Sequence, residues 1–149
     1  MKWIDIPPVW LGIALVCAWW ISELQPDWLH FESPITDLLG GCLVGAGALL
    51  MLLAVAEMRK RRTTVIPHME AANLVTTGIF SRTRNPIYLG DACILAGLTL
   101  YWAAPIALFL VPLFAGTITQ RFILPEEDRL RRKFRAAFAS YCQKTRRWL

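Results

Sequence analysis

The sequence predicts an all-α, polytopic membrane protein with about four transmembrane helices and an amphipathic helix at its C-terminus. Three observations carry that prediction. The 149 residues are 56% hydrophobic with a mean hydropathy of +0.43, too apolar for an ordinary soluble domain of this size. The apolar residues collect into runs that reach the roughly 20 residues a membrane helix needs. The seven tryptophans suit the membrane–water interface, where amphipathic rings concentrate. A chain of this length reads as a single domain over residues 1–149, divided into a two-helix anchor, 1–58, and a part richer in polar motifs, 59–149.

The first span is predicted over Ile6 to Ser22. Pro7 and Pro8 stand at its start, where a missing amide hydrogen costs no helical bond. The second covers Ile35 to Ala56 and carries Gly40, Gly41, Gly45, Ala46 and Gly47. Small residues let helix backbones approach closely in lipid, so this stretch predicts a packing seam. The run Ile87 to Leu124 is too long for one ordinary span and divides at Tyr101-Trp102-Ala103-Ala104-Pro105. Aromatic residues followed by proline suit an interfacial turn, so spans three and four form a helical hairpin. From Glu126 to Gln143, the residues Leu130, Phe134, Ala137, Phe138 and Tyr141 recur at spacings of three and four. That periodicity predicts an amphipathic helix lying on the membrane surface or folded back on the protein, with Trp148 anchoring its end at the interface. No internal repeat, low-complexity tract or cleavable leader is evident.

Charge sets the orientation. Of the 16 Lys and Arg residues, all but Lys2 lie in Arg59–Arg84 or Arg121–Arg147, whereas Ser22–Pro34 carries Glu23, Asp27 and Glu32 and no basic residue. The positive-inside rule then places both termini and both basic blocks in the cytoplasm, in a bacterial-type inner membrane. The net charge of +5 is a topology signal, and no nucleic-acid partner is expected, because the basic residues flank spans. Cys17, Cys42, Cys93 and Cys142 have no metal or redox spacing and read as small apolar fillers. His30 and His68 are single and unpartnered, and no metal site is expected. No phosphate-binding loop, zinc-protease, nucleophile-elbow or dinucleotide fingerprint is present.

Two polar blocks remain. In Arg84-Asn85-Pro86-Ile87-Tyr88, Pro86 opens a span, and a snorkelling arginine at a helix start would explain much of the pattern. Tyr88 and Asp91, however, fall four and seven residues after Arg84, on one helix face. This spacing predicts that Arg84 pairs with Asp91 beside Tyr88. In Arg121-Phe122-Ile123-Leu124-Pro125-Glu126-Glu127, proline and two acids suit a helix N-terminus, with Glu127 and Arg131 a favourable pair one turn apart. Because the hairpin returns the chain to the face that carries Arg84, the two blocks are expected to meet.

The ordered set Leu74-Val75-Thr76-Thr77-Gly78-Ile79-Phe80, Arg84 to Gly90, Glu126-Glu127-Asp128-Arg129-Leu130, Phe134, Tyr141 and Arg147-Trp148 resembles the isoprenylcysteine carboxyl methyltransferase and phospholipid methyltransferase superfamily. The resemblance runs from about Thr63 to the C-terminus. It implies an integral membrane methyltransferase that uses S-adenosyl-L-methionine, bound in a cytoplasm-facing pocket of the last helices. By motif position Leu74, Val75, Phe80, Asn85, Pro86, Ile87, Tyr88 and Glu126 would line that pocket. Glu126 and Glu127 would close over the cationic cofactor, Arg84 or Arg121 would take its carboxylate, and Arg121 would handle the substrate end. The acceptor would be a lipidic or prenylated molecule that enters from the membrane.

The chain departs from the family pattern in places. Asn85 stands where many relatives have His, Phe80 where some have Tyr, Arg135 where a Gly is frequent and Phe138 where a Tyr is frequent. A carboxylate acceptor needs no general base, whereas an amine must first lose a proton. With Asn85 in place of His, O-methylation is the favoured expectation. The alternatives are phospholipid amine N-methylation and a non-catalytic binding subunit that keeps the fold.

Overall fold

The computed structural model describes residues 5–30, 32–62 and 73–149. The segment with Pro67 and His68, like Lys2 and Thr63, lies outside the described residues. Among the described residues the chain is helical, without a strand. Helix α1 runs Pro7–Leu24, α2 Pro34–Lys60, α3 Pro86–Tyr101, α4 Leu110–Ile118 and α5 Leu124–Lys144.

Local chemistry explains the boundaries. Pro7, Pro34 and Pro86 each open a helix. Ser33 caps α2 through a capping box with Thr36, its hydroxyl accepting from the Ile35 amide at 3.3 Å. The predicted hairpin turn is present: α3 ends at Tyr101, and Ala103 takes a left-handed φ of 49° before Pro105. Gln25 ties this turn to the end of α1, its Nε2 donating to the Ala103 carbonyl at 2.7 Å.

Three helical stretches, Pro7–Leu24, Pro34–Lys60 and Pro105–Lys144, are long and apolar enough to cross a membrane. The remaining predicted span is filled by α3, whose 16 residues extend about 24 Å, short of the roughly 30 Å hydrocarbon core. Helix α3 is the buried centre of the bundle. Tyr88, Gly90, Asp91, Ala92, Leu95, Gly97 and Thr99 are all buried, against α2 on one side and α1 and α4 on the other. Its surroundings are protein more than lipid, so hydrocarbon thickness does not set its length.

The expected seam forms between α2 and α3, but only part of the small-residue cluster makes it. A Cβ at Gly40 would stand 2.7 Å from the Gly97 carbonyl oxygen, and one at Gly47 2.6 Å from that of Gly90. Gly41 and Gly45 face open space. Gly40 and Gly47 are seven residues apart, as are Gly90 and Gly97, so each pair is two turns along one helix face.

The C-terminal half departs from expectation in two ways. Helix α5 does not begin afresh at Pro125: a π-helical turn, Thr119–Ile123, joins it to α4, with the Leu124 amide bonded to the Thr119 carbonyl. A proline inside a helix collides with the carbonyl four residues earlier, here Arg121, and the wider turn relieves this. Second, α5 breaks at Arg135, which adopts φ 41°, ψ −112°. The break keeps Phe138 and Tyr141 buried, whereas Ala137, expected on the same face, is exposed. Trp148, half-buried, packs against the bundle core.

Arg135 sits where the family often has glycine, and its positive φ supplies the reason. A non-glycine residue held there costs on the order of 1 kcal/mol. Arg135→Gly is therefore expected to stabilise the protein by about 1 kcal/mol, read as a higher melting temperature in detergent.

Candidate functional site

The two polar blocks meet at the end of the bundle formed by the N-terminus of α3, the start of α5 and the last residues of the chain. Leu74 and Val75 precede the turn, half-buried and buried respectively. Gly78–Ser81 then forms a 3-10 turn whose first residue has φ +60°. The positive φ favours glycine, and a Cβ there would also press on the Glu57 carboxylate, 2.9 Å away. The Thr77 hydroxyl donates to Glu57 and ties the turn to the end of α2. From the other side, the Tyr141 hydroxyl donates to the Phe80 carbonyl at 2.6 Å.

The residues before Pro86 are not helical. A residue preceding proline avoids the α region, and Asn85 adopts φ −129°, ψ 59°. Arg84 is thereby turned away from α3 and toward the C-terminal tail. Its amide donates to the Arg146 carbonyl at 3.0 Å, and the Asn85 side-chain amide donates to the Arg147 carbonyl at 2.9 Å.

This corrects the expected pairing of Arg84 with Asp91. Arg84 instead donates from Nη2 to Glu127 Oε1 at 3.0 Å, and from Nη1 to the carbonyls of Thr145, at 2.7 Å, and Cys142, at 3.3 Å. Arg147 completes the cluster. Its Nε reaches Glu127 Oε1 at 3.0 Å and its Nη2 reaches Oε2 at 2.8 Å, a bidentate fork. Glu127 thus joins two arginines rather than Arg131. Burial alone would raise its pKa, but hydrogen bonds from Arg147 and Arg84 outweigh this and hold the carboxyl below the ordinary value. Burial also raises the Tyr141 phenol, which keeps that hydroxyl protonated as the donor to Phe80.

Glu126, one residue earlier, points elsewhere. It is exposed, and its carboxylate accepts a hydrogen bond from the buried Tyr88 hydroxyl. Pro86 is buried and Ile87 half-buried beside it. Phe80, Arg84, Asn85, Pro86 and Tyr88 from one block and Glu126 and Glu127 from the other therefore belong to one connected region, although Arg84 and Glu127 are 43 positions apart in sequence. Asp91 is buried in α3.

Arg121 is placed differently. The π-helical turn aims it at the start of α1, where Nε donates to Oδ1 of Asp5, just before the helix, at 2.7 Å and the guanidinium lies 5.2 Å from the Trp10 ring. The indole N–H of Trp10 donates to the same Asp5 oxygen at 3.1 Å. Asp5, Glu57 and the clamping role of Arg147 were not foreseen from sequence. Asp5 is 116 positions from Arg121 and Arg147 is 20 from Glu127, and no local periodicity reports such partners.

A family model described as phospholipid methyltransferase matches residues 35–137. The chain belongs to the phospholipid methyltransferase family. Membership implies a membrane methyltransferase acting on lipid-type substrates. The family match takes in α2, which carries no resemblance legible by eye, and includes the turn before α3 and the Glu126-Glu127 pair. No curated protein and no solved structure matches the chain.

Proposed function

We propose that this phospholipid methyltransferase family member transfers the methyl group of S-adenosyl-L-methionine to a lipidic acceptor at the cytoplasmic face of the membrane. The observation that carries the reading is the union, in one clamped region, of the apolar turn, the Tyr88–Glu126 contact and the arginine-held C-terminal tail. The donor is a sulfonium cation with an amino-acid end, and the residues present fit it. Phe80 and Ile87 offer apolar walls, and Glu126 offers an exposed carboxylate to the cationic groups. Two of the three Arg84 nitrogens are committed within the protein; Nε, buried without a hydrogen-bond partner, provides a single donor for a carboxylate oxygen.

When bound, the donor supplies an electrophilic methyl group that passes to the acceptor by in-line displacement. The protein's contribution is alignment and exclusion of water. Tyr88 orients Glu126, and the Glu127 clamp fixes the turn, which makes Glu127 and Arg147 positioning residues. Arg121 would receive the acceptor's anionic end; its pair with Asp5 has side chains 52% and 34% exposed, and such surface pairs are weak enough to exchange.

The favoured acceptor group is a carboxylate. Asn85 cannot shuttle protons as His does, and a carboxylate acceptor needs no general base. The second reading, methylation of a phospholipid amine, is favoured by the family's description.

Calorimetric titration of the purified protein with S-adenosylmethionine and S-adenosylhomocysteine tests the assignment. Glu126→Ala is expected to weaken binding at least tenfold, for loss of a charged partner, and Tyr88→Phe about fivefold. Wild-type affinity in both variants would refute the site. Arg121→Ala should lower turnover with little change in donor affinity; unchanged turnover on a verified acceptor would remove its role.

A further inference from the structure

The arginines of Ser81-Arg82-Thr83-Arg84 diverge. Arg84 enters the clamp, while Arg82 lines a crevice on the opposite side of the turn, against the end of α2. This cavity, of about 350 Å³, is bounded by Leu53, Ala56, Glu57, Lys60, Gly78, Ile79 and Arg82. Its acidic residue, Glu57, is satisfied within the protein by the Thr77 hydroxyl and by Arg61 Nε at 3.3 Å. Lys60 and Arg82, both exposed, are therefore the charges that the crevice presents to a ligand.

The surface leading to the crevice indicates what that ligand is. Leu49, Leu53, Ala56 and Lys60 follow one another at spacings of four, three and four, and so form a single stripe along α2. Leu49 is 56% and Leu53 46% exposed, on a helix apolar enough to cross a membrane. The stripe runs from the apolar middle of α2 to two cations at its C-terminal end, where a spanning helix would meet lipid headgroups. A soluble phosphate compound would use the cations and have no use for the stripe.

We propose that the crevice between α2 and the Gly78–Ser81 turn binds an anionic phospholipid. Its phosphodiester lies between Lys60 and Arg82, and an acyl chain follows Ala56, Leu53 and Leu49. Lys and Arg both pair well with phosphate, and basic pockets beside membrane helices are suited to anionic headgroups. The inference rests on the membrane placement of α2 and is independent of the methyl-transfer reading.

The test is native mass spectrometry of the full chain released from nanodiscs of equal phosphatidylcholine and phosphatidylglycerol. Wild type is expected to retain phosphatidylglycerol in preference to phosphatidylcholine. Each of Lys60→Gln and Arg82→Gln should weaken retention about fivefold. Arg59→Gln with Arg62→Gln removes two charges outside the crevice, more than either single variant, and should leave retention intact. Ala56→Trp, which fills the crevice and keeps its charges, should abolish it. Equal losses in the two charge-removal sets would reduce the effect to diffuse attraction and overturn the site, as would full retention by Ala56→Trp. Saturable binding of inorganic phosphate without retained lipid would overturn the lipid assignment.

Discussion

Glu127→Ala is expected to cost about 3 kcal/mol of stability and to abolish binding of the methyl donor. The side chain of Glu127 is 9% exposed and that of Arg84 12%, so the variant strands a guanidinium in a poorly solvated place. Breaking a buried ion pair from one side typically costs 3–5 kcal/mol; the lower end applies because Arg147, at 37% exposed, can recover solvent. At roughly 2–4 °C per kcal/mol for a chain of this size, the melting temperature should fall by about 6–12 °C. Binding is lost because Glu127 joins the turn before α3 to the tail after α5, and without that link Asn85 and Phe80 lose their register against Glu126. Replacing all three members by apolar residues of similar volume should recover much of the stability and none of the binding. A Glu127→Ala protein with wild-type melting and affinity would show that the cluster is not a clamp.

The same group gives a pH dependence of definite sign. Because the folded-state pKa of Glu127 lies below the ordinary value near 4.5, its contribution is fully present above the unfolded pKa. It is lost as pH falls through the folded pKa. The wild type should lose stability in acid relative to Glu127→Gln, and the two curves should run parallel above about pH 6. Urea unfolding across that range in detergent is the measurement.

The second large effect is expected in the helix seam. Gly47→Leu places a side chain where even a Cβ would be 2.6 Å from the Gly90 carbonyl oxygen, and Gly90→Leu meets the Gly47 carbonyl at 2.7 Å. The obstruction is backbone in both cases, so no rotamer relieves it and α2 must move away from α3. Overpacking alone costs about 1–3 kcal/mol, and separation of the helices adds the loss of their close packing. Either variant should cost 3 kcal/mol or more (roughly, on that basis). Gly41→Leu and Gly45→Leu, where nothing lies within 4 Å, should be neutral or stabilising by up to about 1 kcal/mol, since glycine is a poor helix former. Similar melting temperatures for Gly47→Leu and Gly45→Leu would refute the seam.

The seam illustrates how far sequence reading extends. Glycine-rich composition marks α2 as a packing helix, but five small residues in eight positions do not reveal which face is used. Only the reciprocal spacing of Gly90 and Gly97 on α3 selects Gly40 and Gly47. Arg135 is similar: the family resemblance leads one to expect glycine at the position, and the positive φ gives the physical reason.

Sequence by itself determined the helical membrane class, the hairpin at Tyr101–Pro105, the packing role of α2 and which two polar blocks to bring together as a candidate site. These follow from hydropathy runs, proline and glycine placement and ordered motifs, all of which act over a few residues. The tertiary structure decided the pairings. It gave Arg84 to Glu127 instead of Asp91, Arg121 to Asp5, and Tyr141 to the Phe80 carbonyl. It also joined α4 to α5 through a π-helical turn. A charged group at a membrane edge takes whichever opposite charge or carbonyl lies nearest in space, and that neighbour is fixed by helix packing and by chain direction at Asn85-Pro86, not by spacing along the chain.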